Sequence, residues 1–219
     1  MMERPLPPPP HPVRKPGFWG ALTHAWDGLV WATAHQRNMK IHVVSGMLVG
    51  CVGSAIPLGL PEKVTLLFCV MLVFFAEMVN TSLEALVDLH MEEFHGLARV
   101  VKDTAAAGVL VLSIGTVALF AVILVHDWPI IRGHPYEVIR QLAVGTPLVA
   151  AGAALTAKWR RPHIVDAALG AVALSLWVAL STWTTSSIFT AMIAGLLILQ
   201  GAAAYELRLR HQVVAHPVS

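Results

Sequence analysis

The stretch FAEMVNTSLEALVDLH, residues 74 to 89, continues an apolar run and then introduces polar groups at helical spacing. The polar positions follow one another at helix-like intervals: Glu77, Asn80, Thr81, Glu84 and Asp88. At about 100° per residue, these positions all fall on one face of an α-helix. An ionised carboxylate costs about 2.5–3.5 kcal/mol at the centre of a membrane helix, so the face indicates a polar site. For Asp88 alone, an equally good interpretation is a cap that anchors the helix end at the membrane interface.

The composition indicates a protein that crosses the membrane several times. Of the 219 residues, 56% are hydrophobic and 13% are charged, which is too apolar for an ordinary soluble domain. The formal net charge of +2 provides no bulk attraction to nucleic acid, so we expect no nucleic-acid partner. The fold class predicted is an all-α integral membrane protein.

Six apolar stretches predict about six transmembrane helices, although the fourth stretch is short. They cover residues 41–60, 64–86, 104–125, 141–157, 164–183 and 187–205. With the N-terminus inside, six crossings place all Lys and Arg residues except Lys63, Arg132 and Arg140 on the cytoplasmic side. This distribution predicts that both termini lie in the cytoplasm.

The N-terminal region divides into a tail and a surface helix. Residues 1–17 are rich in proline and are predicted to be disordered, with no apolar core of the signal-peptide type. From residue 18, apolar side chains and three tryptophans recur at helical spacing, which predicts an amphipathic helix at the membrane surface.

A lysine and an aspartate open the third apolar helix, close in sequence to the polar face. Lys102 either anchors that helix on the cytoplasmic side or holds phosphate as a point charge. Mg²⁺ typically takes one or two carboxylates and completes its shell with water and phosphate oxygens. Carboxylates on one helix and a lysine on the next therefore suit a divalent metal that carries a nucleotide. The chain has no G-x-x-x-x-G-K-[ST] loop for that purpose.

These residues carry a family resemblance. The motif comprises the polar positions of residues 77–88, then His95 and the pair Lys102 and Asp103. It resembles the signature of the prokaryotic diacylglycerol kinase and undecaprenol kinase family, and RNMKIH at residues 37–42 is similar to the undecaprenol kinase members. The likeness covers roughly residues 18–126, the predicted lipid-kinase-like domain of a surface helix and three transmembrane helices.

The resemblance implies an activity and a set of roles. The family transfers the γ-phosphoryl group of MgATP to the hydroxyl of a membrane lipid alcohol, diacylglycerol or undecaprenol, at the cytoplasmic membrane interface. Its subunits form homotrimers. By motif position, Glu77 is expected to be the catalytic base and Glu84 a ligand of Mg²⁺, while Asn80, Lys102 and Asp103 are expected to bind the nucleotide phosphates. Asp88 is expected to support this site.

Position 36 departs from the family pattern. The family usually has a glutamate there that helps to hold the metal, whereas this chain has Gln36, which keeps an acceptor oxygen and loses the charge. Two alternatives to an active kinase therefore remain open. One is a weakened or inactive homologue that acts as a membrane scaffold, and the other is a small carrier. A carrier is expected to have interrupted helices at mid-membrane, whereas the polar groups here lie near the cytoplasmic helix ends.

Residues 127–219 are a C-terminal membrane extension with about three predicted helices, which the family does not normally have. The motifs in it do not indicate a chemistry. Packing, control of oligomerisation and docking of a partner remain open as its role.

The departure at position 36 leads to a prediction. Gln36→Glu should lower the Mg²⁺ concentration needed for half-maximal lipid phosphorylation, because a second carboxylate strengthens a hard-cation site. A Mg²⁺ titration of the two proteins measures the effect. An unchanged Mg²⁺ requirement would show that position 36 does not contribute to the metal site.

Overall fold

The computed structural model describes residues 17–90, 96–157 and 162–215. Within these ranges the chain is helical and contains no β-strand, which confirms the all-α membrane class. The helices in chain order are α1 (Phe18–His35), α2 (Arg37–Ala55), α3 (Leu60–His90), α4 (Gly96–His126), α5 (Trp128–Gly133), α6 (Pro135–Leu155), α7 (His163–Thr182) and α8 (Ser187–Ala215).

Five of the described helices are long and apolar enough to cross a membrane: α3, α4, α6, α7 and α8. The fourth predicted stretch, 141–157, proves to be part of a 21-residue helix, α6. The first predicted stretch, residues 41–60, corresponds mainly to α2 (Arg37–Ala55). This helix is not among the five. Arg37 and Lys40 lie in its first turn and lower its mean hydropathy, because each places a charge within a helix of only 19 residues.

The α2 helix lies at the centre of the bundle and packs against α1, α3, α6 and α8. Its side chains Met39, Val43 and Met47 are fully buried. Val43 and Met47 are part of an apolar core that includes residues of α6, α7 and α8, such as Leu148 and Ile193. Residues 127–219 therefore share a core with residues 18–126.

Three glycines allow α2 and α8 to approach closely. A Cβ atom at Gly46 would lie 3.3 Å from Leu196, one at Gly50 would lie 2.8 Å from Ile193, and one at Gly53 would lie 2.5 Å from the Phe189 ring. Residue numbers rise along α2 while they fall along α8, so the two helices are antiparallel. Small residues at helix contacts allow this kind of close packing in membrane proteins.

Both ends of α2 are bonded to the C-terminal extension. At the first turn, Lys40 Nζ donates a hydrogen bond to the Thr156 carbonyl oxygen at 2.6 Å, at the end of α6. At the last turn, the Ser54 carbonyl accepts from the Thr185 backbone N–H at 3.0 Å. The Thr185 hydroxyl also lies 2.9 Å from the Ile56 carbonyl. These donors satisfy carbonyl groups that a helix end leaves without intrahelical partners.

The predicted surface helix is α1, and it ends at an extended residue. Gln36 has φ −88° and ψ 125°, which separates α1 from α2. The first half of α1 exposes apolar side chains, with Phe18 75% and Trp19 77% exposed, whereas Ala32 and Ala34 in the second half are buried. Its position at the membrane surface stays a prediction.

The α3 and α4 helices form an antiparallel hairpin, and α4 packs mainly against α3. Most apolar side chains of α4 are exposed, which is typical of a helix that faces lipid acyl chains. Residues 91–95 between them, including His95, lie outside the described residues.

The glycine contact leads to a stability prediction. Gly53→Ala should destabilise the protein by about 1–3 kcal/mol, because the new methyl group would overlap the Phe189 ring. Thermal unfolding in detergent measures this change. Gly115→Ala in α4 is the control, since a Cβ there meets nothing within 4 Å. Equal midpoints for Gly53→Ala and the control would contradict the close α2–α8 contact.

Candidate active site

The polar face predicted on α3 becomes progressively more exposed toward the end of the helix. Glu77 and Asn80 are each 2% exposed, and Thr81 is also buried. Glu84 is half-buried, and Asp88 is exposed. One face of α3 therefore leads from a buried carboxylate to an exposed one.

The buried end of this face holds polar atoms without a partner among the described residues. Asn80 Nδ2 donates to Glu84 Oε1 at 3.2 Å. Glu77 Oε2, Asn80 Oδ1 and Thr81 Oγ1 are buried and make no hydrogen bond. Buried polar groups are bonded in most proteins, and an unpaired one costs about 1–3 kcal/mol. Three unpaired oxygens on neighbouring turns are acceptors available to a hydrogen-bond donor or a cation.

The exposed end connects α3 with α4 through an ion pair. Lys102 Nζ lies 2.5 Å from Asp88 Oδ1, whereas Asp103 pairs with Arg99 at 3.4 Å on α4 itself. Asp88 follows Glu77 by three helical turns, which is about 16 Å along the axis. The structure thus brings Lys102 to the Asp88 end of the face, a considerable distance from Glu77.

Gln36 is half-buried at the junction of α1 and α2. Its backbone N–H donates to the Ala32 carbonyl at 2.8 Å. The α2 and α3 helices are consecutive, with a short connection, and Gly46 of α2 lies beside Val70 and Phe74 of α3. Gln36 precedes Gly46 by ten residues, and antiparallel helices have the same rise per residue. Gln36 therefore lies about level with the residues ten positions beyond Val70 and Phe74, which belong to the polar face.

Ser113 is a candidate that the sequence reasoning missed. Its hydroxyl oxygen is buried without a hydrogen-bond partner. Counted from the Asp88–Lys102 contact along the antiparallel hairpin, Ser113 lies at about the level of Glu77. Ser113 follows Lys102 by about three helical turns, and this spacing could have identified it as a candidate from the sequence.

The oxygen atoms of this face fit a hard divalent cation. Across residues 17–90, 96–157 and 162–215, three or more His, Cys, Asp or Glu side chains do not converge on one point, so a site of zinc type is not formed there. Mg²⁺ needs only one or two carboxylates beside water and phosphate oxygens. Glu84, held by Asn80, and the unpaired oxygens one to two turns away supply that type of ligand.

Comparisons with known proteins show which part of the chain resembles a known family. The family described as prokaryotic diacylglycerol kinase matches residues 23–124, which contain the whole polar face and the Lys102–Asp88 pair. Helices α5 to α8 lie outside the matched residues. No solved structure matches the chain significantly.

Curated relatives match the same part of the chain. A diacylglycerol kinase of Synechocystis is 35% identical over 113 residues, which are 48% of this chain and 65% of that protein. An undecaprenol kinase of Bacillus subtilis is 32% identical over 44% of this chain and 79% of its own length. A diacylglycerol kinase of Escherichia coli is 29% identical over 48% of this chain and 85% of its own length. The chain thus spans just under two thirds of the Synechocystis relative.

The helices and the acidic face define a polytopic membrane protein with a polar site near one end of its bundle. The matches to relatives make the assignment more specific. The chain belongs to the prokaryotic diacylglycerol kinase family, which confirms the resemblance found in the sequence.

Proposed function

We propose that this protein is a lipid kinase that transfers the γ-phosphoryl group of MgATP to the hydroxyl of a membrane lipid alcohol. The acceptor is diacylglycerol or undecaprenol, the lipids named in its relatives. The observation that carries the proposal is the buried, unpaired carboxylate of Glu77 on the same helix face as Glu84. A hydroxyl group from the membrane would supply the hydrogen bond that Glu77 Oε2 lacks.

Glu77 is the proposed base. Its carboxylate accepts the proton of the lipid hydroxyl while the hydroxyl oxygen forms a bond to the γ-phosphorus. The bond from that phosphorus to the β–γ bridging oxygen breaks, and ADP leaves. Burial of Glu77 keeps bulk water away from the carboxylate and so favours the lipid hydroxyl over water as the nucleophile.

Glu84 and Asn80 would hold Mg²⁺ at the next turn of α3. Bound there, the metal would neutralise charge on the phosphate oxygens. Asn80 also fixes Glu84 through the hydrogen bond between their side chains, which reduces the rearrangement needed for binding. Gln36, at the same level, would contribute a neutral oxygen.

Lys102 and Asp103 would contact the nucleotide at the other end of the face. Lys102 is paired with Asp88 in this structure, and both side chains are accessible to solvent. Exposed ion pairs contribute about 0.2–1 kcal/mol, so phosphate oxygens compete readily for the lysine. Asp88 then supports the site by positioning Lys102 before the nucleotide binds.

The proposed setting follows from the same assignment. We place the protein in a bacterial inner membrane with its termini and active site on the cytoplasmic side, and the family resemblance favours a homotrimer. An inactive scaffold is the second candidate function, because Gln36 replaces an expected carboxylate.

The first test is lipid phosphorylation by the purified protein in lipid micelles with MgATP. Diacylglycerol and undecaprenol are offered separately. Glu77→Gln should lower kcat by about 100-fold or more, because it removes the base and keeps the shape. Glu62→Gln, at the opposite end of α3, is the matched control and should keep its activity.

Two results would contradict this assignment in different ways. If Glu77→Gln keeps its kcat, Glu77 is not the base. If the unaltered protein binds MgATP and phosphorylates neither lipid, the inactive scaffold becomes the better account.

A second test concerns the nucleotide. Lys102→Met should raise the KM for MgATP about tenfold, which corresponds to about 1.4 kcal/mol of lost binding. Lys63→Met, at the opposite end of α3, is the control. Steady-state kinetics at saturating lipid separate the two variants. Equal KM values for both would exclude Lys102 as a phosphate ligand.

A further inference from the structure

An apolar groove of about 240 Å³ lies between α1, α3 and α8. Trp26 and Leu29 line it from α1, Val70 and Phe74 from α3, and Gly195 and Leu199 from α8. Every residue that lines it is apolar or glycine. The α8 wall belongs to the C-terminal extension, outside the residues that match the family.

The groove leads toward the candidate active site along α3. Val70, Phe74, Glu77 and Thr81 follow one another by four, three and four residues and therefore share one face of this helix. Glu77 lies three residues beyond Phe74, about 4.5 Å further along the axis. The apolar lining thus ends where the buried carboxylate begins.

The α2 helix closes the bottom of this groove. A Cβ atom at Gly46 would lie 3.2 Å from Val70, 3.3 Å from Leu196 and 3.6 Å from Phe74, so these groove residues rest against the α2 backbone. The same glycine contact that holds α8 on α2 therefore sets the distance between the α3 and α8 walls.

We propose that this groove binds the hydrocarbon chain of the lipid alcohol acceptor, with α8 forming the wall that limits its width. The inference rests on the proposed kinase function and adds a role for the C-terminal extension in acceptor recognition. Apolar walls offer a chain no hydrogen bonds and favour burial of methylene groups at about 25 cal/mol per Å².

The polar end of the groove favours an alcohol over phosphatidylcholine. Glu77 Oε2 is buried and lacks a hydrogen-bond donor. The hydroxyl of a lipid alcohol donates such a bond, whereas the phosphodiester and quaternary ammonium groups of phosphatidylcholine have no N–H or O–H to donate. A chain in the groove would bring the hydroxyl of a lipid alcohol to Glu77.

Gly195 is the position at which a substitution can test the groove. A Cβ atom there meets nothing within 4 Å, unlike one at Gly46, Gly50 or Gly53. A side chain that begins at Gly195 therefore starts without a clash and extends into the space that the groove offers a ligand. Helix propensity also favours the change, since glycine is a poor residue inside a helix.

Gly195→Leu should raise the KM for the lipid acceptor roughly tenfold or more, because one additional carbon in an apolar pocket changes specificity by such factors. The KM for MgATP should not change. Gly201→Leu, on the same helix and also with nothing within 4 Å, is the matched control and should behave as the unaltered protein. A lipid KM for Gly195→Leu equal to that of the control would overturn the proposal.

A binding measurement separates this inference from the kinase activity. Diacylglycerol and undecaprenol, each with a photoreactive diazirine in the chain, are incorporated into phosphatidylcholine vesicles with the protein. Labelling of α8 at residues 192–199 by either probe is expected, with competition by the same unlabelled alcohol and loss in Gly195→Leu.

The outcomes of labelling distinguish the two proposals. Competed labelling of α8 by a protein that phosphorylates neither lipid would support the groove and overturn the kinase. Active enzyme without labelling of α8 would overturn the groove alone. Equal competition by added phosphatidylcholine would also overturn it, since the groove would then hold bulk lipid.

Discussion

The close approach of α2 to α8 is the constraint on which the rest of this structure depends. Between membrane helices, association relies on van der Waals contact and hydrogen bonds, because lipid chains are as apolar as leucine side chains. Gly46, Gly50 and Gly53 remove side chains where α8 must approach, so backbone and side-chain atoms make contacts that lipid would otherwise make. The spacing of the groove walls follows from that contact, since Gly46 also lies beside Val70 and Phe74 of α3.

The polar face of α3 shows how a membrane bundle keeps ionisable groups near its surface. Glu77, Asn80 and Thr81 are covered by protein, while Asp88 and Lys102 meet solvent. A lipid substrate needs both environments, since its chain remains apolar while its hydroxyl must meet a charged nucleotide. The single helix α3 provides both environments, because its polar face runs from a buried end to an exposed end.

Much of this arrangement could be predicted from the sequence, because it depends on helical periodicity. The offsets between Glu77 and Asp88 identified the face, and the apolar stretches identified the helices. Sequence reasoning described α6 as short, since it counted apolar residues, whereas the helix begins earlier at Pro135. The pairing of Lys102 with Asp88, and the level of Ser113 along α4 relative to Glu77, depend on the register of the α3–α4 hairpin. Periodicity within one helix contains no information about that register. The docking of α8 on α2 escaped prediction for the same reason.

The hydrogen bonds at the two ends of α2 have a consequence for how the chain assembles. The carbonyl groups of Ser54 and Ile56 accept hydrogen bonds from Thr185, and Lys40 donates one to the Thr156 carbonyl. These partners are synthesised more than a hundred residues after the groups that they satisfy. Before residues 156 and 185 are made, the carbonyl groups at the end of α2 and the Lys40 ammonium group lack these partners. Contacts of such sequence separation delay folding, so α2 completes its contacts only after two later connections of the chain are in place.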